Sequence, residues 1–163
     1  GKGASGPVGT ETLHAVEGCV LMLNEIITGI AKALGTTFGS EFRVYKNDVK
    51  QGFTEPCFFI ATLKPEQKPL LGDRAIWRNP FDIHYFPKDG GTNEELYNVA
   101  EYLMFGLRYI TLPNGDMLRG TSISYEVVEG VLHFFVNYNM IVNIPKELPT
   151  METLEIDQHT KKG

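Results

Sequence analysis

Asp82 and His84 stand two residues apart in Phe81-Asp82-Ile83-His84-Tyr85. On a strand that spacing puts both side chains on one face. A carboxylate beside an imidazole can hold and pass a proton, or supply two ligands to a metal ion. His133 faces Glu126 across a hairpin and repeats the combination. A metal site draws on three or four convergent ligands, and neither pair has an evident further partner in the sequence. Ion pairs on a solvent-facing or interface surface are therefore the expectation. His14 and His159 fall in the terminal segments. Gly90-Gly91, ahead of a helix, could cradle an anion, but glycine's freedom in a strand-to-helix turn accounts for the pair. Cys57 sits in the apolar run Cys57-Phe58-Phe59-Ile60 and reads as a small buried hydrophobe, while Cys19 lies near the terminus. The sequence has no nucleophile elbow, phosphate-binding glycine loop or zinc-pair spacing. The expectation is accordingly no catalytic, cofactor-binding or metal-ligating residue, no cofactor and no enzyme. A small enzyme using Asp82 and His84 is the competing reading.

The elements that hold these residues are legible in the pattern. Thr121 to Val142 alternates on both sides of Glu129-Gly130, which reads as a two-residue hairpin loop. That loop sets Val128 against Val131, Val127 against Leu132, Tyr125 against Phe134, Ile123 against Val136 and Thr121 against Tyr138. The opposite face pairs Glu126 with His133, Ser124 with Phe135 and Ser122 with Asn137. Leu23, Ile26, Ile27, Ile30 and Leu34 fall at helical spacing, with Gly35 as the stop. Phe42 to Lys46 and Pro56 to Leu63 read as strands around a turn at Gln51-Gly52. Ala75 to Phe86 reads as another, with Phe81, Ile83 and Tyr85 turned away from Asp82 and His84. Thr92-Asn93-Glu94-Glu95 has capping-box form and opens a helix whose stripe is Leu96, Val99, Ala100, Leu103 and Leu107. A short hairpin, Tyr109 to Leu112, turns at Asn114-Gly115 into Met117.

This order, α-β-β-β-α-β-β-β, predicts an α+β domain: an antiparallel sheet of about six strands with two amphipathic helices on one face. The domain is expected over residues 22–144. Residues 1–21 read as a flexible arm, or as a leader ahead of a start at Met22, and 145–163 as a polar tail. The chain of 163 residues is long enough to bury a core without staples. Its formal net charge of −5 argues against an electrostatic grip on nucleic acid. Neither a membrane span nor a secretory signal is expected. Strand aromatics such as Phe58, Phe59 and Phe81 lack interleaved basic residues, so they read as core or protein interface rather than base-stacking platforms.

Two features point to association. Lys64 to Arg74 alternates charge with proline, and its prolines bar it from a central strand, so it is an exposed loop or the tip of a long hairpin. Phe86 and Phe135 lie on the sheet face without helices. Lys64, Glu66, Lys68, Asp73, Arg74, Phe86 and Phe135 are the expected contact residues.

Leu23 to Ile30, Val44 to Phe53, Glu55 to Ile60 and Arg78-Asn79-Pro80-Phe81-Asp82-Ile83-His84-Tyr85-Phe86-Pro87 together resemble the tail terminator family of tailed phages and prophages of Gram-positive bacteria. The resemblance covers about Met22 to Asn143. It implies a structural virion protein that closes into a ring, usually hexameric, on the head-proximal end of the tail tube. Such a ring stops tube polymerisation and offers a face for head–tail joining. The implied partners are further copies of the chain, the tail tube protein and the head–tail connector or adaptor. DNA would pass through the ring without specific binding, which the acidic balance suits. Assembly in the host bacterial cytoplasm and residence in the virion neck follow from the same resemblance. Another neck-ring component, a stopper or adaptor, is the alternative.

Overall fold

The computed structural model describes residues 13–14, 22–46 and 52–144. The first helix, α1 (Met22–Phe38), buries Ile26, Ile27, Ile30 and Leu34 along one stripe. It runs past Gly35, the expected stop, and ends where Gly39 takes φ 89° and donates its N–H to the Gly35 carbonyl at 2.8 Å. A helix closes where a residue can turn left-handed, and Gly35 is spent inside the helix.

Ten strands appear among the described residues: β1 (Leu13–His14), β2 (Arg43–Tyr45), β3 (Cys57–Thr62), β4 (Glu66–Pro69), β5 (Arg74–Arg78), β6 (Pro80–Phe86), β7 (Tyr109–Thr111), β8 (Met117–Val128), β9 (Val131–Tyr138) and β10 (Met140–Asn143). They form a curled six-stranded sheet, ordered β2-β3-β6-β9-β8-β7, and a small sheet ordered β1-β10-β5-β4. The fold is α+β as expected, but the sheet is mixed, because β2 pairs β3 in parallel and β1 pairs β10 in parallel. The connection from β2 to β3 is too long for the tight turn read at Gln51-Gly52, and a long connection permits parallel pairing. Residues 47–51 of that connection lie outside the described ones.

The expected strand Ala75–Phe86 is two strands, β5 and β6, that share one register with β10 and β9. Pairing continues from Arg74↔Asn143 to Tyr85↔Leu132 across both sheets. The ribbon breaks at Asn79 and bends there. Tyr138 donates its N–H to the Asn79 carbonyl at 3.0 Å, and the buried Asn79 amide Nδ2 donates to the Tyr138 carbonyl at 3.0 Å. The side chain thus repairs the ladder where the sheet changes.

The turn at Glu129-Gly130 is as read, with φ 51° and 79°, the left-handed pair that a type I′ loop requires. From Val128↔Val131 to Ser124↔Phe135 the register matches the sequence reading. Beyond that it shifts: Ser122 takes φ 53°, and Thr121 pairs Asn137 while Gly120 pairs Tyr138. The expected pairs Ile123–Val136, Ser122–Asn137 and Thr121–Tyr138 therefore do not form. A bulge admits one extra residue, and strict alternation carries no signal of it.

The second helix, α2 (Asn93–Gly106), starts as the capping pattern requires, Glu95 N–H donating to Thr92 Oγ1 at 3.1 Å. The Glu95 carboxylate accepts the Tyr85 hydroxyl at 2.8 Å, which ties the helix to β6. Leu96, Val99, Ala100, Leu103 and Leu107 are all buried, as the stripe predicted. They join Phe58, Ile60, Phe81, Ile83, Leu132 and Phe134 in one core cluster on one face of the large sheet. Fully burying each of these side chains larger than alanine contributes about 1.5–3 kcal/mol. The helices approach each other at Gly106, where a Cβ would run into Thr37.

Candidate functional site

The large sheet's other face carries Asp82, His84 and His133. Alternation along β6 turns Phe81, Ile83 and Tyr85 into the core and leaves Asp82, His84 and Phe86 outward. On β9 the same rule buries Leu132, Phe134 and Val136 and turns His133, Phe135 and Asn137 outward. Because β6 pairs β9 with His84 opposite His133, His133 joins Asp82 and His84 in one cluster.

Asp82 is its centre. Its Oδ2 lies 2.9 Å from His84 Nε2 and 3.0 Å from His133 Nδ1. The two imidazole rings meet edge to face with centroids 4.5 Å apart. Asp82 is only 8% exposed, and its Oδ1 is buried with no hydrogen-bond partner among the described residues. No further partner for either acid–imidazole pair was evident in the sequence; the structure brings His133 to Asp82 and His84. His133 keeps Glu126 opposite in register, but its hydrogen bond goes to Asp82, and Glu126 is exposed. What had to be known was that β6 and β9 are neighbours, and the chain between them runs through a helix and two strands.

Aromatic rings surround the cluster. His84 lies 5.7 Å from Phe59 and 6.0 Å from Phe86, and His133 stacks on Phe135 at 6.4 Å between centroids. Phe53 lies over Phe86 at 4.9 Å and touches Tyr45 and Phe59. Phe86 and Phe135, expected as contact residues, are half-buried members of this face. A row of polar atoms follows toward the bend: Arg78 Nε, Asn137 Oδ1 and Asn139 Oδ1 are buried without partners among the described residues.

The other expected contact residues lie elsewhere. Lys64, Glu66, Lys68, Asp73 and Arg74 are all exposed on the arm formed by β4, β5 and the turn between them. That arm is the tip of a long hairpin continuous with β3 and β6, one of the two forms the prolines allowed. Pro69 ends β4, an edge strand, where a missing donor costs nothing. Leu71 at the tip is 86% exposed. Sequence reasoning missed a second apolar surface on α2, where Phe105 is 79% and Tyr102 60% exposed, flanked by Tyr97, Met104 and Tyr109. The signal was present as Tyr97, Tyr102 and Phe105 outside the buried stripe.

Chemically, the cluster can hold a proton or a cation. The thiol of Cys57, one strand away on β3, is no nucleophile: burial, followed by the nearby Glu55 charge, pushes its pKa up and keeps it protonated. A separate shallow cleft between α1 and β7 is lined by Lys32, Thr36, Thr37, Gly106 and Tyr109. No described helix is long and apolar enough to cross a membrane.

The fold is thus a mixed α+β sheet with exposed apolar side chains on a projecting arm and on a helix. Residues 25–150 match the family model described as phage tail terminator protein, and this chain belongs to that family. Its role is a structural one in the phage tail. No match was found among curated proteins.

Proposed function

We propose that the chain closes into a ring, a hexamer by the resemblance of its sequence, that caps the head-proximal end of the tail tube. A stack of tube rings is an open-ended assembly, and it grows until one face stops being complementary. The capping subunit must fit the tube on one side and refuse another tube subunit on the other. Family membership supports the tail role. The observation that carries ring closure is the presence of two separate solvated apolar surfaces: the hairpin tip at Leu71 and the α2 face at Tyr102 and Phe105. A head-to-tail ring contact requires two different patches on each copy, whereas a two-fold dimer needs only one. The charged arm residues Lys64, Glu66, Lys68, Asp73 and Arg74 would set partner choice and register at such a contact. The free face of the ring would dock the connector, and DNA would traverse a lumen that the acidic balance keeps from binding it.

The test mixes the purified chain with self-polymerising tail tube protein and measures tube lengths by electron microscopy. Tubes that shorten as the ratio of chain to tube protein rises support the cap. Tubes of undiminished length, with tight binding to the connector instead, would assign the chain to the stopper or adaptor layer.

A further inference from the structure

We infer that Asp82, His84 and His133 form a binding site for one late first-row divalent metal ion, of the zinc or cobalt kind. Each residue offers one ligand atom, and the three atoms all lie within 4.8 Å of one another. A zinc-like ion bonded at 2.0–2.2 Å spaces its tetrahedral ligand atoms about 3.3 Å apart. The Oδ2 contacts at 2.9 and 3.0 Å need open by only a few tenths of an ångström to admit the ion.

Three features separate this cluster from an ordinary surface ion pair. The Asp82 side chain is only 11% exposed, and its Oδ1 has no hydrogen-bond partner among the described residues. A buried carboxylate left half satisfied is costly, and a cation bound to it and to two imidazoles offsets its charge where water does not. The ligands also come from two paired strands whose register is fixed far beyond the site, so the donors are held in place before the ion arrives. Finally, Phe59, Phe86 and Phe135 wall the imidazoles, which lowers the local dielectric and strengthens the attraction between ion and carboxylate.

Two imidazoles and a carboxylate suit zinc, cobalt, nickel or iron(II) better than calcium or magnesium, which prefer all-oxygen shells. The imidazoles, 21% and 23% exposed, leave the ion's remaining position toward solvent, where water or a donor from an adjoining molecule completes the shell. Bound there, the ion clamps β6 to β9 on the face opposite the helices.

The experiment titrates the metal-free full chain with Co2+ and Zn2+, reading visible Co2+ absorption, ions per chain by native mass spectrometry, and the thermal midpoint. The expected result is one ion per chain at micromolar affinity, with the d–d absorption of a low-coordinate nitrogen- and oxygen-ligated Co2+. Zinc at about 100 times its dissociation constant raises the midpoint by about 5–10 °C. H84A, H133N and D82N each weaken binding by about 100-fold or more, since losing even an outer-shell partner costs 10–100-fold. H133N keeps a side-chain donor for Asp82, so its metal-free midpoint stays near that of the parent chain. H14A/H159A, which removes the other two histidines, binds as the parent does. Absence of micromolar binding in the parent chain overturns the assignment, as does retained binding in H84A with H133N, or lost binding in H14A/H159A.

Discussion

Tyr138→Phe tests how the bent sheet is fastened to the helices. The Tyr138 hydroxyl donates to the Leu107 carbonyl just past the end of α2, and the ring is fully buried beside Phe81. Removing the hydroxyl keeps the ring's packing but leaves a buried carbonyl without its donor. That loss costs about 1–3 kcal/mol, which lowers the thermal midpoint by about 2–4 °C per kcal/mol for a chain of this size. Burial raises the phenol's pKa well above its ordinary value of 10.0, so the folded chain keeps a proton that the unfolded chain gives up. The stability from this proton is whole below pH 10 and falls as pH climbs beyond it, by about 1.4 kcal/mol per unit. Y138F lacks the group. Urea unfolding of both proteins should therefore show the variant less stable by a constant amount from about pH 7 to 9.5, with the gap closing by about 1.4 kcal/mol at pH 11. Tyr85, also raised by burial and by its bond to Glu95, is common to both proteins and drops out of the comparison. Equal stabilities at neutral pH, or denaturation midpoints that decline in parallel through pH 11, would refute the reasoning.

Gly106→Ala drives a methyl into Thr37 at the helix crossing and should cost about 1–3 kcal/mol, part of which Thr37→Ala restores; a double-mutant cycle by chemical denaturation checks the coupling. Cys57 is fully buried with its thiol pKa raised, so iodoacetamide at about pH 8 should leave it unmodified in the folded chain and alkylate it in urea, with mass spectrometry locating the adduct. Phe105→Glu and Leu71→Asp replace solvated side chains and should shift folding stability by no more than about 0.5 kcal/mol, yet abolish self-association and tube shortening. Sedimentation velocity beside the tube-length measurement separates the two effects.

Much of the fold was legible because local rules agreed with one another. Thr92 with Glu95, the stripe from Leu96 to Leu107 and the loop at Glu129-Gly130 each carry their geometry in neighbouring residues. What escaped depends on contacts remote in sequence. The break at Asn79 is held by Tyr138, fifty-nine positions away, and no local pattern announces it. The bulge at Ser122 adds one residue to an otherwise regular alternation. Parallel pairing of β2 with β3 escaped because Gln51-Gly52 read as a turn, which implies an antiparallel pair. The candidate site divides in the same way. Asp82 beside His84 was readable as a strand face, whereas His133 joins them only through the β6–β9 register. The arm from Lys64 to Arg74 was readable because proline excludes a central strand. The aromatic face of α2 went unread because isolated exposed aromatics on a helix carry no period of their own, unlike the buried stripe.

The proposed cap is tested most directly by where the chain sits on an assembled tube. Gold-labelled chain added to preformed tubes should be seen by electron microscopy at one end of each tube, as a single ring in end-on views, with the side walls bare. Label distributed along the walls, or tubes that carry none at either end, would contradict the account.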